Sequence, residues 1–268
     1  MNHEPTTLRP GTPRTAGTNP WLTRFGPPDA ARRLRLYCFS YAGGSATIYQ
    51  PWRAALDAGI ELCAVQLPAR GMRLAEPAER DLAALVRRLS DVIAAQDAGP
   101  FAFFGHSLGA LLAFELTRHL QRSRLPLPAK LIVSGCASPQ LREPVEALDE
   151  HDDDKMIERL TRYNGTPAEV LQHAELMRLM APAIRADFAL VAHYVYQGGA
   201  PLEVPITAFA GRADDQTSPE KIDGWGRETQ AAFAQHWFDG DHFFIRPQMD
   251  KVILQLNAEL SATALRAR

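Results

Sequence analysis

No segment restricts this chain's fold more than Gly105-His106-Ser107-Leu108-Gly109. It follows a short apolar run, Phe101–Phe104, and opens a run of helical period, Leu108–Arg122. A serine between glycines at such a junction fits a tight strand-to-helix turn, where its backbone is strained and bulkier neighbours would collide. The turn lifts the hydroxyl above the carboxyl end of a strand, where open parallel sheets form their ligand crevice. The helix N-terminus behind it favours negative charge.

The flanking pattern says which sheet this is. Leu34–Phe39, Glu61–Leu67, Lys130–Ser134, Pro205–Ala210 and Ala234–Phe238 read as further strands, several too continuously apolar to be half-exposed. Asp81–Ala95 and Gln248–Leu260 carry apolar residues at three- and four-residue spacing, as Leu108–Arg122 does. Strands alternating with helices predict an α/β fold, with a mostly parallel sheet flanked by helices. The alternation lapses over about 142–199, where only helical pieces are expected: Lys155–Tyr163, Ala168–Met180 and Ile184–Tyr196. We read this stretch as a helical lid insertion. It opens with Glu143–Asp154, twelve residues of which seven are acidic, whose spacing fits no calcium loop and reads as a solvated connection. Residues 1–25 read as a flexible tail and 26–262 as one domain; six Pro, three Gly and six Thr fall in the first 30 residues.

Composition removes several function classes. With 29 basic and 31 acidic side chains, no basic footprint points to nucleic acid. No apolar run is long enough to span a bilayer, and the N-terminus has no secretory apolar core. Cys38, Cys63 and Cys136 have neither metal nor redox spacing, and their odd number argues against a disulfide framework. A cytoplasmic monomer without metal or cofactor is expected.

A serine hydroxyl needs a base, and the base an orienting carboxylate. Pro205–Ala210 is followed by Asp214 and Asp215, and Ala234–Phe238 by His242, so acids and histidine fall after later strands in the order Ser, Asp, His. Adjacent residues cannot both face His242, and Asp214 is preferred. His106 lies inside the turn, pointing away from the nucleophile in a packing or hydrogen-bonding role. The N–H of Leu108 supplies one oxyanion donor, and the loop Phe39–Ser45, with its paired glycines, is the source of a second.

Together these residues resemble the type II thioesterases that accompany modular polyketide synthases and nonribosomal peptide synthetases. The marks, in order, are Phe39-Ser40-Tyr41-Ala42-Gly43-Gly44, then Gln66-Leu67-Pro68-Ala69-Arg70 with Arg73 and Glu76-Pro77, the Gly105–Gly109 turn, Gly211 to Asp214, and His242-Phe243-Phe244. Two positions depart from the pattern: Ser40 stands where the family usually has proline, and Ala69 where it usually has glycine. The resemblance implies an α/β-hydrolase with a helical lid that hydrolyses acyl groups from the phosphopantetheine arm of acyl or peptidyl carrier domains, clearing misprimed or stalled chains. It assigns Ser107 as nucleophile, His242 as base, Asp214 as orienting acid, and the N–H groups of Ala42 and Leu108 as the oxyanion hole. From the lid, Met177, Met180 and Phe188 are the candidates for the acyl pocket. The alternatives are a carboxylesterase or lipid acylhydrolase, a product-releasing thioesterase domain, and a non-enzymatic carrier-binding module.

Overall fold

In the computed structural model, which describes residues 19–26, 32–149 and 152–266, the apolar runs become a seven-stranded sheet in the order β1-β3-β2-β4-β5-β6-β7. The strands are β1 (Leu22–Phe25), β2 (Leu34–Phe39), β3 (Ile60–Val65), β4 (Phe101–His106), β5 (Leu131–Ser134), β6 (Ile206–Gly211) and β7 (Phe233–Phe238). All pair in parallel except β1, which runs antiparallel to β3. β2, β5 and β6 are buried along their whole length, as strands covered on both faces must be.

Alternation along the strands divides two cores. Tyr37, Phe39, Phe103 and Val133 pack beneath α1 (Leu82–Ala94) and α2 (Leu108–Arg122). Leu36, Cys38, Phe104 and Ile132 face the other way, against a 3-10 segment, Ala46–Ala54, and the C-terminal helix. Asp81 caps α1, its carboxylate accepting the N–H groups of Ala83 and Ala84 at 2.8 and 3.1 Å.

Leu22–Phe25 belongs to the sheet and not to a tail, which corrects the boundary read from the sequence; residues 1–18 lie outside the described residues. Four residues of mixed polarity carry no periodic signal. Tertiary partners make the strand: Leu22 packs on one core and Phe25 on the other, and the Arg73 guanidinium stacks 3.7 Å above the neighbouring Trp21 ring.

Between β5 and β6 lie α3 (Asp153–Tyr163), α4 (Ala168–Leu171) and α5 (Ala174–Ala192). The two later lid helices divide differently from the sequence expectation of 168–180 and 184–196. The break falls at His173, whose ring caps α5 by accepting the Leu176 N–H at 3.2 Å. α5 then runs through Pro182, which is exposed. An interior proline costs a helix ~3 kcal/mol. Here Met177, Ala181, Ile184 and Phe188, at helical spacing, bury against Met156 and Leu160 of α3 and offset that cost. The acidic run contributes to this fold: Asp152 caps α3 through the Lys155 N–H, and Asp153 pairs with Arg185 of α5. The remaining helices are α6 (Pro219–Asp223) and α7 (Met249–Arg266).

Ala69 adopts φ 62, a region that costs an L-residue about 1–2 kcal/mol and glycine nothing. It is held there by its N–H bond to the Arg73 carbonyl at 3.0 Å. Ala69→Gly should therefore stabilise the protein, by ~0.5–1 kcal/mol in urea unfolding once the unfolded-state entropy of glycine is subtracted. An unchanged or lowered midpoint would show that the turn carries no strain.

Candidate active site

Ser107 follows β4 with φ 57 and ψ −116, a conformation costing of order 1–3 kcal/mol that persists only where the surroundings over-determine it. They do so here. The Ser107 N–H donates to the Ser134 carbonyl at 2.8 Å, and its own carbonyl accepts the Ala110 N–H at 3.0 Å. A Cβ on Gly109 would stand 2.0 Å from the Phe39 carbonyl oxygen, and one on Gly105 would stand 2.1 Å from the Gly109 oxygen. Only glycine at both positions lets α2 start against β2. The hydroxyl of Ser107 makes no capping bond to α2, so the helix does not occupy it.

The loops after β6 and β7 meet beside this turn because those strands are neighbours, with Gly211 in register with Phe238. His242 Nδ1 lies 3.0 Å from Asp214 Oδ2. The Asp214 side chain is fully buried, and its other oxygen accepts the Gln216 N–H at 2.9 Å. Asp215 instead turns outward, 64% exposed, towards Arg162. Its carboxyl is held below the usual range, chiefly by the bond from Gln216 and also by Arg162. The structure thus brings Asp214, and not its neighbour, to the histidine.

Ser107 and His242 line one cavity of about 470 Å³, together with Tyr41, Ala42 and Leu108. The lid roofs it with Leu160, Tyr163, Phe188 and Val191, and the Tyr163 ring lies 5.4 Å from that of His242. Of the three acyl-pocket candidates, only Phe188 reaches the cavity. Met177 and Met180 belong to the lid's own core with Met156 and Leu160, about two to three turns before Phe188 along α5.

Comparison with known proteins fits this geometry. The thioesterase domain family model matches residues 34–260. The chain belongs to the thioesterase family. Gramicidin S biosynthesis protein GrsT of Aneurinibacillus migulanus is 38% identical over 85% of this chain and 88% of its own length. Thioesterase PikA5 of Streptomyces venezuelae is 34% identical over 91% of this chain and 86% of its own. Among solved structures, the type II thioesterase BorB from the borrelidin biosynthetic cluster aligns with a TM-score of 0.83 at 31% identity, covering 93% of this chain and 100% of that one. With the sheet order above, these relatives place the thioesterase in the α/β-hydrolase fold.

Two features of the thioesterase site were not read from the sequence. One is Asp187 of α5, buried and paired with Arg70; an aspartate inside the apolar stretch Ala186–Leu190 was the available signal, since a buried carboxylate requires a partner. The other is the place of His106 under the site. Its ring is fully buried, 5.3 Å from the His242 ring and walled by Tyr41, Phe243 and Phe244. Its Nδ1 lies 2.9 Å from Ser134 Oγ. Burial, reinforced by the nearby His242, pushes its pKa well below the usual value for histidine.

His106 is neutral when folded and titrates near 6.5 when unfolded, so the stability it contributes is complete above pH 6.5 and falls as pH drops below it. His106→Phe should flatten the stability profile between pH 6 and 5 by up to ~1.4 kcal/mol per pH unit. Parallel wild-type and variant slopes in urea titrations at these pH values would mean that His106 takes up its proton in the folded protein.

Proposed function

We propose that this chain is a type II thioesterase that hydrolyses acyl groups from the phosphopantetheine arm of carrier domains in polyketide or nonribosomal peptide biosynthesis. The observation that carries the reading is the strained serine turn sharing one cavity with His242, which is itself paired with the buried Asp214. Its relatives support it: GrsT is a biosynthesis protein of gramicidin S, and BorB a type II thioesterase of a biosynthetic cluster.

Each residue has a task. Ser107 Oγ attacks the thioester carbonyl while His242 Nε2 takes its proton. Asp214 holds the imidazole by Nδ1 and stabilises the imidazolium that forms. The developing oxyanion is bound by the N–H groups of Ala42 and Leu108, the second lying at the start of α2, where the helix favours negative charge. Collapse of the tetrahedral intermediate breaks the C–S bond and expels the pantetheine sulfur as thiolate, which takes up the proton held on His242 and leaves the imidazole neutral. With a thiol pKa near ~8.5 the sulfur leaves with little help from a general acid. His242 then activates water against the acyl-serine, and the acid departs. No metal or cofactor enters these steps; the pantetheine arm is substrate. The enzyme acts as a cytoplasmic monomer, and among the described residues no helix is long and apolar enough to cross a membrane.

The cavity is at the small end of the usual range for ligand pockets. Because each methylene in an apolar pocket discriminates by only ~1–3 kcal/mol, selectivity among short and medium acyl groups is broad and shallow. Ser107→Ala should abolish turnover of an acyl-carrier thioester while leaving thermal unfolding unchanged. Asp214→Asn should lower kcat by about 10⁴ through loss of the correct tautomer, and Asp215→Asn by less than about tenfold. An active Ser107→Ala would end the mechanism, and the opposite ranking of the aspartates would move the orienting role to Asp215.

A further inference from the structure

The loop bearing Ala42 is held from the lid by a buried charge. Asp187 is 1% exposed, and its two oxygens accept the Arg70 Nη1 and Nη2 donors at 2.6 and 2.8 Å. Oδ2 also accepts the N–H of Gly43 at 2.7 Å. From the other side Arg70 Nη1 donates to the Gly44 carbonyl at 3.1 Å, and its Nε to the Pro68 carbonyl at 3.1 Å. Gly43 sits at φ 75, so the chain turns sharply at the residue after Ala42. A second brace comes from Gln66, whose side-chain oxygen accepts the Ala46 N–H at 3.0 Å and whose amide donates to the Arg70 carbonyl at 3.1 Å.

A pair of apolar side chains could replace the ion pair itself at little cost, because desolvation consumes much of what a buried ion pair gains, but it would leave the Gly43 N–H without its carboxylate partner. What an apolar pair cannot supply is direction. A carboxylate and a planar guanidinium offer short, oriented bonds, and here they end on two successive residues of one loop, at the Gly43 N–H and the Gly44 carbonyl. We propose that Arg70 and Asp187 are positioning residues for the oxyanion loop, fixing the peptides of Gly43 and Gly44 so that the Ala42 N–H points at the reacting carbonyl. The inference rests on the reading of Ala42 as an oxyanion donor. It makes the seat of α5 and the geometry of that donor one mechanical unit: a lid helix displaced from its seat takes the Gly43 bond with it.

The test uses the full chain, a butyryl N-acetylcysteamine thioester, and an alkyl trifluoromethyl ketone. The ketone adds to a serine and places its oxyanion in the hole. Losing one oxyanion donor outright costs about 10²–10³ in kcat. Asp187→Ala, which misplaces a donor without removing it, should lower kcat about 10- to 100-fold with KM changed less than about threefold, and weaken the ketone by the same factor as kcat/KM. Asp187→Asn retains an oxygen for Gly43 and should recover kcat to within about fivefold of wild type. The double variant Arg70→Met with Asp187→Leu guards against misfolding, since an apolar pair keeps the core filled, and it should be as slow as Asp187→Ala. Full kcat and unaltered ketone affinity in Asp187→Ala, or in the double variant where Asp187→Ala does not fold, would overturn the proposal. Ser107→Ala is assayed alongside: an active Ser107→Ala defeats the nucleophile assignment, whereas an inert one beside fully active Asp187 variants defeats only the positioning role.

Discussion

The site depends on how closely α2 approaches β2. At Gly109 the backbone of the helix lies so near the Phe39 carbonyl that a Cβ would be 2.0 Å from its oxygen. That contact fixes where α2 begins, and the start of α2 fixes Ser107 at φ 57. From the same geometry come the place of Ser107 at the cavity, the Leu108 N–H beside it, and the placing of the loop after β2 across the cavity. The strain at Ser107 is sustained by bonds on both sides, from Ser134 in β5 and to Ala110 in α2. The reactive turn is thus held by the most buried part of the sheet, and an alteration in the core can reach the chemistry through it.

Asp214 and His242 come from elsewhere in the chain and meet by sheet order. β6 and β7 follow β5 in space as in sequence, so successive strand ends deliver Asp214 and His242 to the same crevice. Burial then separates two neighbouring aspartates. Asp214, wholly enclosed, has His242 and the Gln216 N–H for its oxygens. Asp215 remains in solvent with Arg162. The lid completes the enclosure, touching the site directly through Tyr163 and Phe188 and indirectly through the pair between Asp187 and Arg70.

The strands and the serine turn were legible because they are written in short-range patterns. β2 matches its apolar run, and α2 its periodic run, from Leu108 to Arg122. The order of Ser107, Asp214 and His242 could be read because each follows a strand. What was not legible depends on distant partners. β1 exists through pairing with β3 and the stacking of Arg73 on Trp21. α5 continues past Pro182 because its inner face is buried on α3. Met177 and Met180 lie in that same lid core and do not reach the cavity; composition marks them as apolar but not which apolar surface they meet. Asp187 stood out only as a charge in an apolar run; its partner lies 117 residues away.

The central claim is that Ser107 accepts an acyl group directly from a carrier-bound thioester. It is tested most directly by incubating carrier domains loaded with acetyl, butyryl and octanoyl pantetheine with the enzyme and following both proteins by intact-mass spectrometry. The account predicts that each carrier returns to its unacylated mass, and that quenched samples show the acyl mass on the peptide containing Ser107. Carriers that stay acylated while matched oxyesters are hydrolysed, or an acyl mass on any other residue, would contradict it.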